Sequence, residues 1–346
     1  MDVIVSAPTE HCHAPKPDLV PVLELKNKIK SRAAETEESS STVLHSAMRS
    51  FPLDAAGQLL QILKTGKHWF VDGTFKVCPE DFNQMFTLHE LFKSKIIPLV
   101  YGLLVEKKTD CDHFFQRIMN EDDFNPETTL SDFEAATIKS INSLFSNILH
   151  KGCLFHFGQC IWRQIQSLEL QKKYQEDEPF HLNIKNIIAL AFVPVLDAIK
   201  AFNLIADDFE DEVDDFLGYF EKIWIGKPEK RGTSKKKPLF PIEIWNVYDR
   251  AVANLPRSNK SIEGWHNAFE KRVAIVHPTI TKLTEKIRRE QSKFEVDIAQ
   301  IRQGQEPKPK KLKYRKLDER IKRLVDDYEN VDLGEYLKGL AVNMSL

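Results

Sequence analysis

The chain has 346 residues, 42 per cent apolar and 10 per cent aromatic, enough to bury a sizeable core in two domains or in one domain with a large insertion. Its net charge of -2 excludes a uniformly basic nucleic-acid binder, so any polyanion-binding surface must be local. Five scattered cysteines argue against a disulfide framework, no apolar run approaches a membrane span, and no secretory signal opens the chain, so an intracellular soluble protein is expected.

The opening is irregular. Glu10-His11-Cys12-His13 contains a His-x-His, a possible metal half-site, but the residues before it cannot supply the other ligands that zinc needs. Leu23 to Arg32 is a charged amphipathic stretch, and Glu35 to Ser41 reads as a polar linker. From His68 the pattern becomes α/β. His68-Trp69-Phe70-Val71-Asp72-Gly73-Thr74-Phe75 is a buried strand ending in a carboxylate and a glycine. A carboxylate there is costly to desolvate. Two answers stand: Asp72 accepts backbone hydrogen bonds in the turn, helped by Gly73, or it holds a cation.

Met85 to Leu91 and Ile96 to Leu104 read as the second and third strands. The third is apolar on both faces and so reads as central, although Pro98 points to a bulge or an edge position. Asp112 to Met119 is helical. Thr128 to Leu130 is a short fourth strand, and Ser131 or Asp132 is expected to cap the helix Glu134 to Leu144. Gly152 to Phe155 reads as a fifth strand, with a helix from His156 to Leu168.

Strand signals then vanish, and helical spacing takes over from 170 to 255. A basic loop carries Lys227, Lys230, Arg231, Lys235, Lys236 and Lys237. It is an import signal, a phosphate-contacting loop or a plain solvated one. Ser261 to Ile275 is a helix. Beyond it lie charged helices broken near Pro307 and Pro309. Fifteen Lys or Arg stand against seven Asp or Glu between Lys282 and Arg323, a surplus able to neutralise phosphates or simply to face solvent.

Three acids stand out by position: Asp72 at the end of the first strand, Asp132 at the end of the fourth, and Glu263 on the helix that follows the long helical segment. In a mixed five-stranded sheet of ribonuclease-H type the first and fourth strands are neighbours, so their ends meet, and a later helix can close the triangle. Three carboxylates so placed repel one another unless divalent cations relieve them. Two magnesium ions about 4 Å apart would activate a water or a terminal hydroxyl for phosphoryl transfer.

Four motifs in order resemble the transposases of Mutator-like elements, in the DDE superfamily. They are Trp69-Phe70-Val71-Asp72-Gly73-Thr74-Phe75, Ser131-Asp132-Phe133-Glu134-Ala135-Ala136, Gly152-Cys153-Leu154-Phe155-His156-Phe157 and Ser258-Asn259-Lys260-Ser261-Ile262-Glu263-Gly264-Trp265-His266-Asn267. The resemblance covers roughly residues 50 to 300. It implies a catalytic, metal-binding triad of Asp72, Asp132 and Glu263, two magnesium or manganese ions, double-stranded DNA as partner, a homo-oligomer, no membrane and a nuclear location. Cys153 and His156 match the family's Cys-x-x-His signature. They read as a packed strand residue and a phosphate or metal-shell contact rather than as a zinc site, and zinc is not expected in this chain. Asn259, Glu263 and Asn267, four apart, fall on one helical face, where the asparagines would orient the carboxylate or touch DNA.

The family usually pairs two asparagines where this chain has Asn259-Lys260. His11 and His13 resemble the end of a FLYWCH-type zinc finger whose cysteines are absent. The expected organisation is a lead-in with a possible finger remnant (1–45), the first part of a ribonuclease-H-like domain (46–169), an all-helical insertion (170–256), the last part of the domain with Glu263 (257–280) and a basic helical extension (281–346). The alternative is a domesticated or degenerate descendant that binds DNA without catalysis.

Overall fold

The computed structural model describes residues 56–106, 109–209, 213–228 and 235–344. His11, Cys12 and His13, the stretches 23–32 and 35–41, and Lys230 and Arg231 lie outside the described residues. Helix α1 (Ala56–Thr65) leads into strands β1 (His68–Thr74), β2 (Gln84–Phe92) and β3 (Lys95–Leu104). There follow α2 (Thr109–Met119), β4 (Thr128–Ser131), α3 (Ala135–Leu144), β5 (Leu149–Gly152) and α4 (Leu154–Ser167). The five strands make one mixed sheet in the order β3-β2-β1-β4-β5. Strands β1, β2 and β3 pair antiparallel, while β4 runs parallel to both β1 and β5.

The two faces of β1 explain its composition. A strand flanked on both sides and covered on both faces must be apolar throughout. Trp69 and Val71 pack with Phe86, Leu88 and Phe115 on the face that α2 and α3 cover. Phe70 packs with Leu130, Cys153 and Ile262 on the other. Side chains alternate along a strand, so Asp72 projects to the face of Phe70. The parallel register pairs His68 with Thr128, Trp69 with Thr129 and Phe70 with Leu130. Asp72 lies two residues beyond Phe70 and Asp132 two beyond Leu130, so the pairing carries both acids to neighbouring strand ends on one face.

Three local expectations are corrected. First, β3 is an edge strand, not a central one. Its apolar residues are covered in part by helices from elsewhere in the chain: Ile97 lies in a cluster with Leu59, Ile62, Phe294 and Ile298. Pro98 pairs with His89 beside the register shift between Leu88 and His89, the bulge position that suits a residue without an N–H. Second, β5 ends at Gly152, so Cys153 is the N-cap of α4 rather than a strand residue. The chain turns there against an aromatic ring, since a Cβ on Gly152 would meet Phe133 at 2.3 Å. Third, α3 starts at Ala135 with Glu134 at its N-cap, and neither Ser131 nor Asp132 caps it.

The helical segment comprises α5 (Gln171–Glu176), α6 (Glu178–Ala189), α7 (Ala198–Ala206), α8 (Asp214–Phe220), α9 (Ile242–Trp245) and α10 (Tyr248–Val252). Lys227–Pro228 and Lys235–Lys236 form β6 and β7, a two-residue ladder within the basic loop. Ile184, Ile187, Phe216, Trp224 and Trp245 are buried with Phe157 of α4 in one large core. The stack of Phe157 on Trp245, with centroids 5.2 Å apart, carries α4 from the sheet into that core. Buried Arg250 spans the same seam, donating from Nη1 to Thr128 Oγ1 (3.0 Å) and from Nε to the Pro256 carbonyl (2.7 Å).

After the insertion come α11 (Lys260–Val273), α12 (Ile280–Arg302), α13 (Leu312–Asp326) and α14 (Leu333–Ala341). The basic extension divides its loyalties. Phe294 and Ile298 of α12 pack on α1 and β3. Ile321 and Val325 of α13 and Tyr336 and Leu340 of α14 belong to the core of the helical segment. Among the described residues, no helix is long and apolar enough to cross a membrane.

Candidate functional site

The site forms where α11 crosses the face of the sheet that carries Phe70 and Asp72. Asn259, at the N-cap of α11, is fully buried and joins three elements. Its Nδ2 donates to the Val71 carbonyl (3.2 Å) and to Asp132 Oδ1 (3.3 Å). Its backbone N–H donates to Cys153 Sγ at 3.2 Å. The side chain therefore does not cap its own helix; it fixes the distance between β1 and the loop after β4. Its Oδ1 is buried and has no hydrogen-bond partner.

Asp72 is 7 per cent exposed. Oδ1 accepts the Gly73 N–H at 2.8 Å, the turn bond that the Asp-Gly pair offers, and Oδ2 lies 3.4 Å from His266 Nδ1. Burial pushes the Asp72 carboxyl up and the charge of Asp132 adds to this, while His266 and the Gly73 N–H pull it down. Behind His266 sits Thr87, the antiparallel register partner of Asp72. The Thr87 hydroxyl donates to the Asp72 carbonyl (3.0 Å). Having spent its proton, it accepts from His266 Nε2 (3.2 Å) and His89 Nε2 (2.9 Å). Burial and the nearby His266 hold His89 well below the ordinary histidine range, which leaves it a neutral donor.

Asp132 is turned away from α3 by contacts remote in sequence. Oδ1 lies 2.7 Å from His156 Nδ1, and the other ring nitrogen of His156 is 3.7 Å from Glu263 Oε1. One imidazole thus stands between two of the acids. Burial pulls His156 down, but its contacts with Asp132 and Cys153 outweigh that, and its pKa is raised to about 11. Burial also pushes Glu263 up; His156 opposes this, while Asp72 and Asp132 add to it. Glu263 Oε1 is buried without a hydrogen-bond partner.

Asp72, Asp132, Glu263, Cys153, His156 and Asn259 are thus gathered at one place. Asn267 is exposed and makes no contact there among the described interactions. Its neighbour His266 faces Asp72 instead. Sequence reasoning missed His266, Thr87 and His89; the one signal available was the three-residue step from Glu263 to His266, which also keeps to one side of a helix. The basic loop is remote in sequence from these contacts; Lys237 is exposed, and of Lys227, Lys235 and Lys236 only the backbone ladder is described.

A different basic surface emerges on α13. Lys313, Lys316, Arg320 and Arg323 are exposed and line one shallow cleft with a single acid, Glu319. Spacings of three, four and three keep the four cations on one helical face. Comparison of the chain with protein-family models and with curated proteins gave no match in either case.

Proposed function

We propose that this protein is a DNA transposase of the Mutator-like group, cutting and joining strands through Asp72, Asp132 and Glu263 on a ribonuclease-H-like sheet. The observation that carries the reading is the convergence of three acids from β1, the end of β4 and α11, whose burial and mutual charge push Asp72 and Glu263 up. The strand order, with β1 beside β4, and the helical segment between Asp132 and Glu263 support the assignment.

The donor set fits divalent magnesium or manganese: carboxylate oxygens, crowded enough to need a counter-charge, with Glu263 Oε1 buried and lacking a partner. Two such ions held by the triad would supply an activated water or DNA 3′-hydroxyl and would stabilise the leaving oxygen. The residues around them set geometry. Asn259 ties Asp132 to β1, His266 and Thr87 orient Asp72, and His156 balances the charge of Asp132 and Glu263. Duplex DNA would lie over the cations of α13 and the basic loop, in a homo-oligomer acting in the nucleus.

A second reading, a DNA-binding descendant without catalysis, is favoured by one observation: the 2.7 Å contact of His156 with Asp132 already compensates that acid. Plasmid nicking separates the two. Supercoiled DNA with magnesium or manganese is expected to be nicked by the wild type and not by Asp72→Asn. Nicking that survives Asp72→Asn removes the role given to Asp72. A wild type that binds DNA but leaves it intact points to the second reading.

A further inference from the structure

The sequence offers Cys153 and His156 as two ligands without a partner pair; folding supplies the third. Cys153 Sγ, a ring nitrogen of His156 and an Asp132 oxygen lie within 4.8 Å of one another. These are sulfur, nitrogen and oxygen donors, a set that selects zinc over magnesium. Ligand atoms on a tetrahedral zinc stand about 3.3 to 3.8 Å apart, given bonds of about 2.0 to 2.3 Å. The present separations, within 4.8 Å, would adjust to that spacing as the ion binds.

Two further features point to a cation rather than to chance proximity. The Asn259 N–H donates to Cys153 Sγ, which sits at the N-cap of α4. A backbone N–H aimed at the sulfur is the kind of outer-shell contact that orients a metal ligand. His156 turns its second nitrogen toward Glu263 Oε1, which has no hydrogen-bond partner. A metal-bound imidazole commonly donates its other N–H to a carboxylate, which fixes the tautomer and strengthens the ligand. The zinc ion would sit between His156 and Asp132, whose facing atoms are 2.7 Å apart; the His156 Nδ1 has no hydrogen-bond partner.

We propose that Asp132, Cys153 and His156 bind one Zn2+, with Glu263 as hydrogen-bond acceptor from His156, and that this zinc shuts down the magnesium-dependent reaction. Binding follows from the donor set alone. Inhibition rests on the function proposed above, because zinc takes Asp132 outright and draws Glu263 toward His156.

The test uses the full chain, stripped of metal and titrated with Zn2+ against a chromophoric chelator. One equivalent is expected to bind, with affinity falling at least about 100-fold in Cys153→Ser and in His156→Ala, while Asp72→Asn binds as the wild type does. Far-UV circular dichroism confirms that each variant is folded, and Co2+ in place of zinc is expected to give a sulfur-to-metal charge-transfer band that Cys153→Ser lacks. Absence of a tight equivalent, or an equivalent that survives both substitutions because His11 and His13 or other residues hold it, overturns the proposal. Inhibition is then read by nicking: stoichiometric Zn2+ is expected to stop the wild type. Nicking that continues with zinc bound overturns the inhibitory half. A wild type that never nicks counts against the transposase reading and leaves the zinc measurement standing.

Discussion

Glu90 offers a sharp test of how the sheet is built. It lies on β2, 2 per cent exposed, with Oε1 accepting the backbone N–H groups of Lys67 (3.1 Å) and His68 (3.3 Å) at the entry to β1. Oε2 is buried with no partner, and the carboxyl packs directly against the backbone at Gly66, where an added Cβ would meet its carbon at 2.3 Å. Burial outweighs the backbone bonds and raises its pKa from 4.5 to about 8. Below pH 4.5 the folded and unfolded chains both carry the proton. Between that pH and about 8 the unfolded chain has released it while the folded chain still holds it, so stability falls as pH rises. Above pH 8 the loss is complete. At about 1.4 kcal/mol per pH unit the span is worth at most about 5 kcal/mol, and relaxation around the charge lowers the expectation to about 2 to 4 kcal/mol. Glu90→Gln keeps the acceptor for both N–H groups and matches the protonated acid in shape. In urea unfolding it is expected to gain about 1 kcal/mol or less at pH 5 and about 2 to 4 kcal/mol at pH 9. A difference that is the same at both pH values would refute the reasoning, because nothing but this carboxyl differs between the two proteins.

Other outcomes follow from the same structure. Phe157→Ala removes a ring stacked on Trp245 and set edge-on to Trp224 at 4.9 Å, and is expected to cost about 3 to 5 kcal/mol in urea unfolding. Gly152→Ala drives a methyl group into the Phe133 ring and is expected to cost about 1 to 3 kcal/mol, most of it recovered when Phe133→Leu is added. Replacing Lys313, Lys316, Arg320 and Arg323 together by Ala is expected to flatten the salt dependence of duplex DNA binding by as much as about 3.6 in log–log slope, about 0.9 for each phosphate no longer neutralised. An unchanged slope would mean that the DNA phosphates meet some other surface.

Much of the sheet was legible because local composition and long-range pairing agree in it. The run from Trp69 to Val71 reads as a buried strand, and its ending at Asp72 follows from the Asp-Gly pair. The errors share a physical cause. Asp132 looks like a helix cap because Ser and Asp suit that role locally, yet Asn259 and His156 compete for it from more than twenty residues away and win. The run from Ile96 to Leu104 looks central because it is apolar on both faces, yet α1, before the sheet, and α12, about 200 residues further on, do the covering. His266 was invisible for a similar reason. Spacing by four picks out Asn259, Glu263 and Asn267 as a row, but which row meets Asp72 depends on the angle at which α11 crosses the sheet. Folding sets that angle through Ile262 and Phe269.

The division of the C-terminal helices between two cores has a mechanical consequence. Ile321 and Val325 anchor the underside of α13 among the helices of the insertion, so the backbone positions that carry its outward cations are held in place. From Lys313 to Arg323 they span about 15 Å at the rise of an α-helix. Any charged polymer that settles there meets a ruler with fixed graduations rather than a pliable fringe, and its own repeat must match those marks.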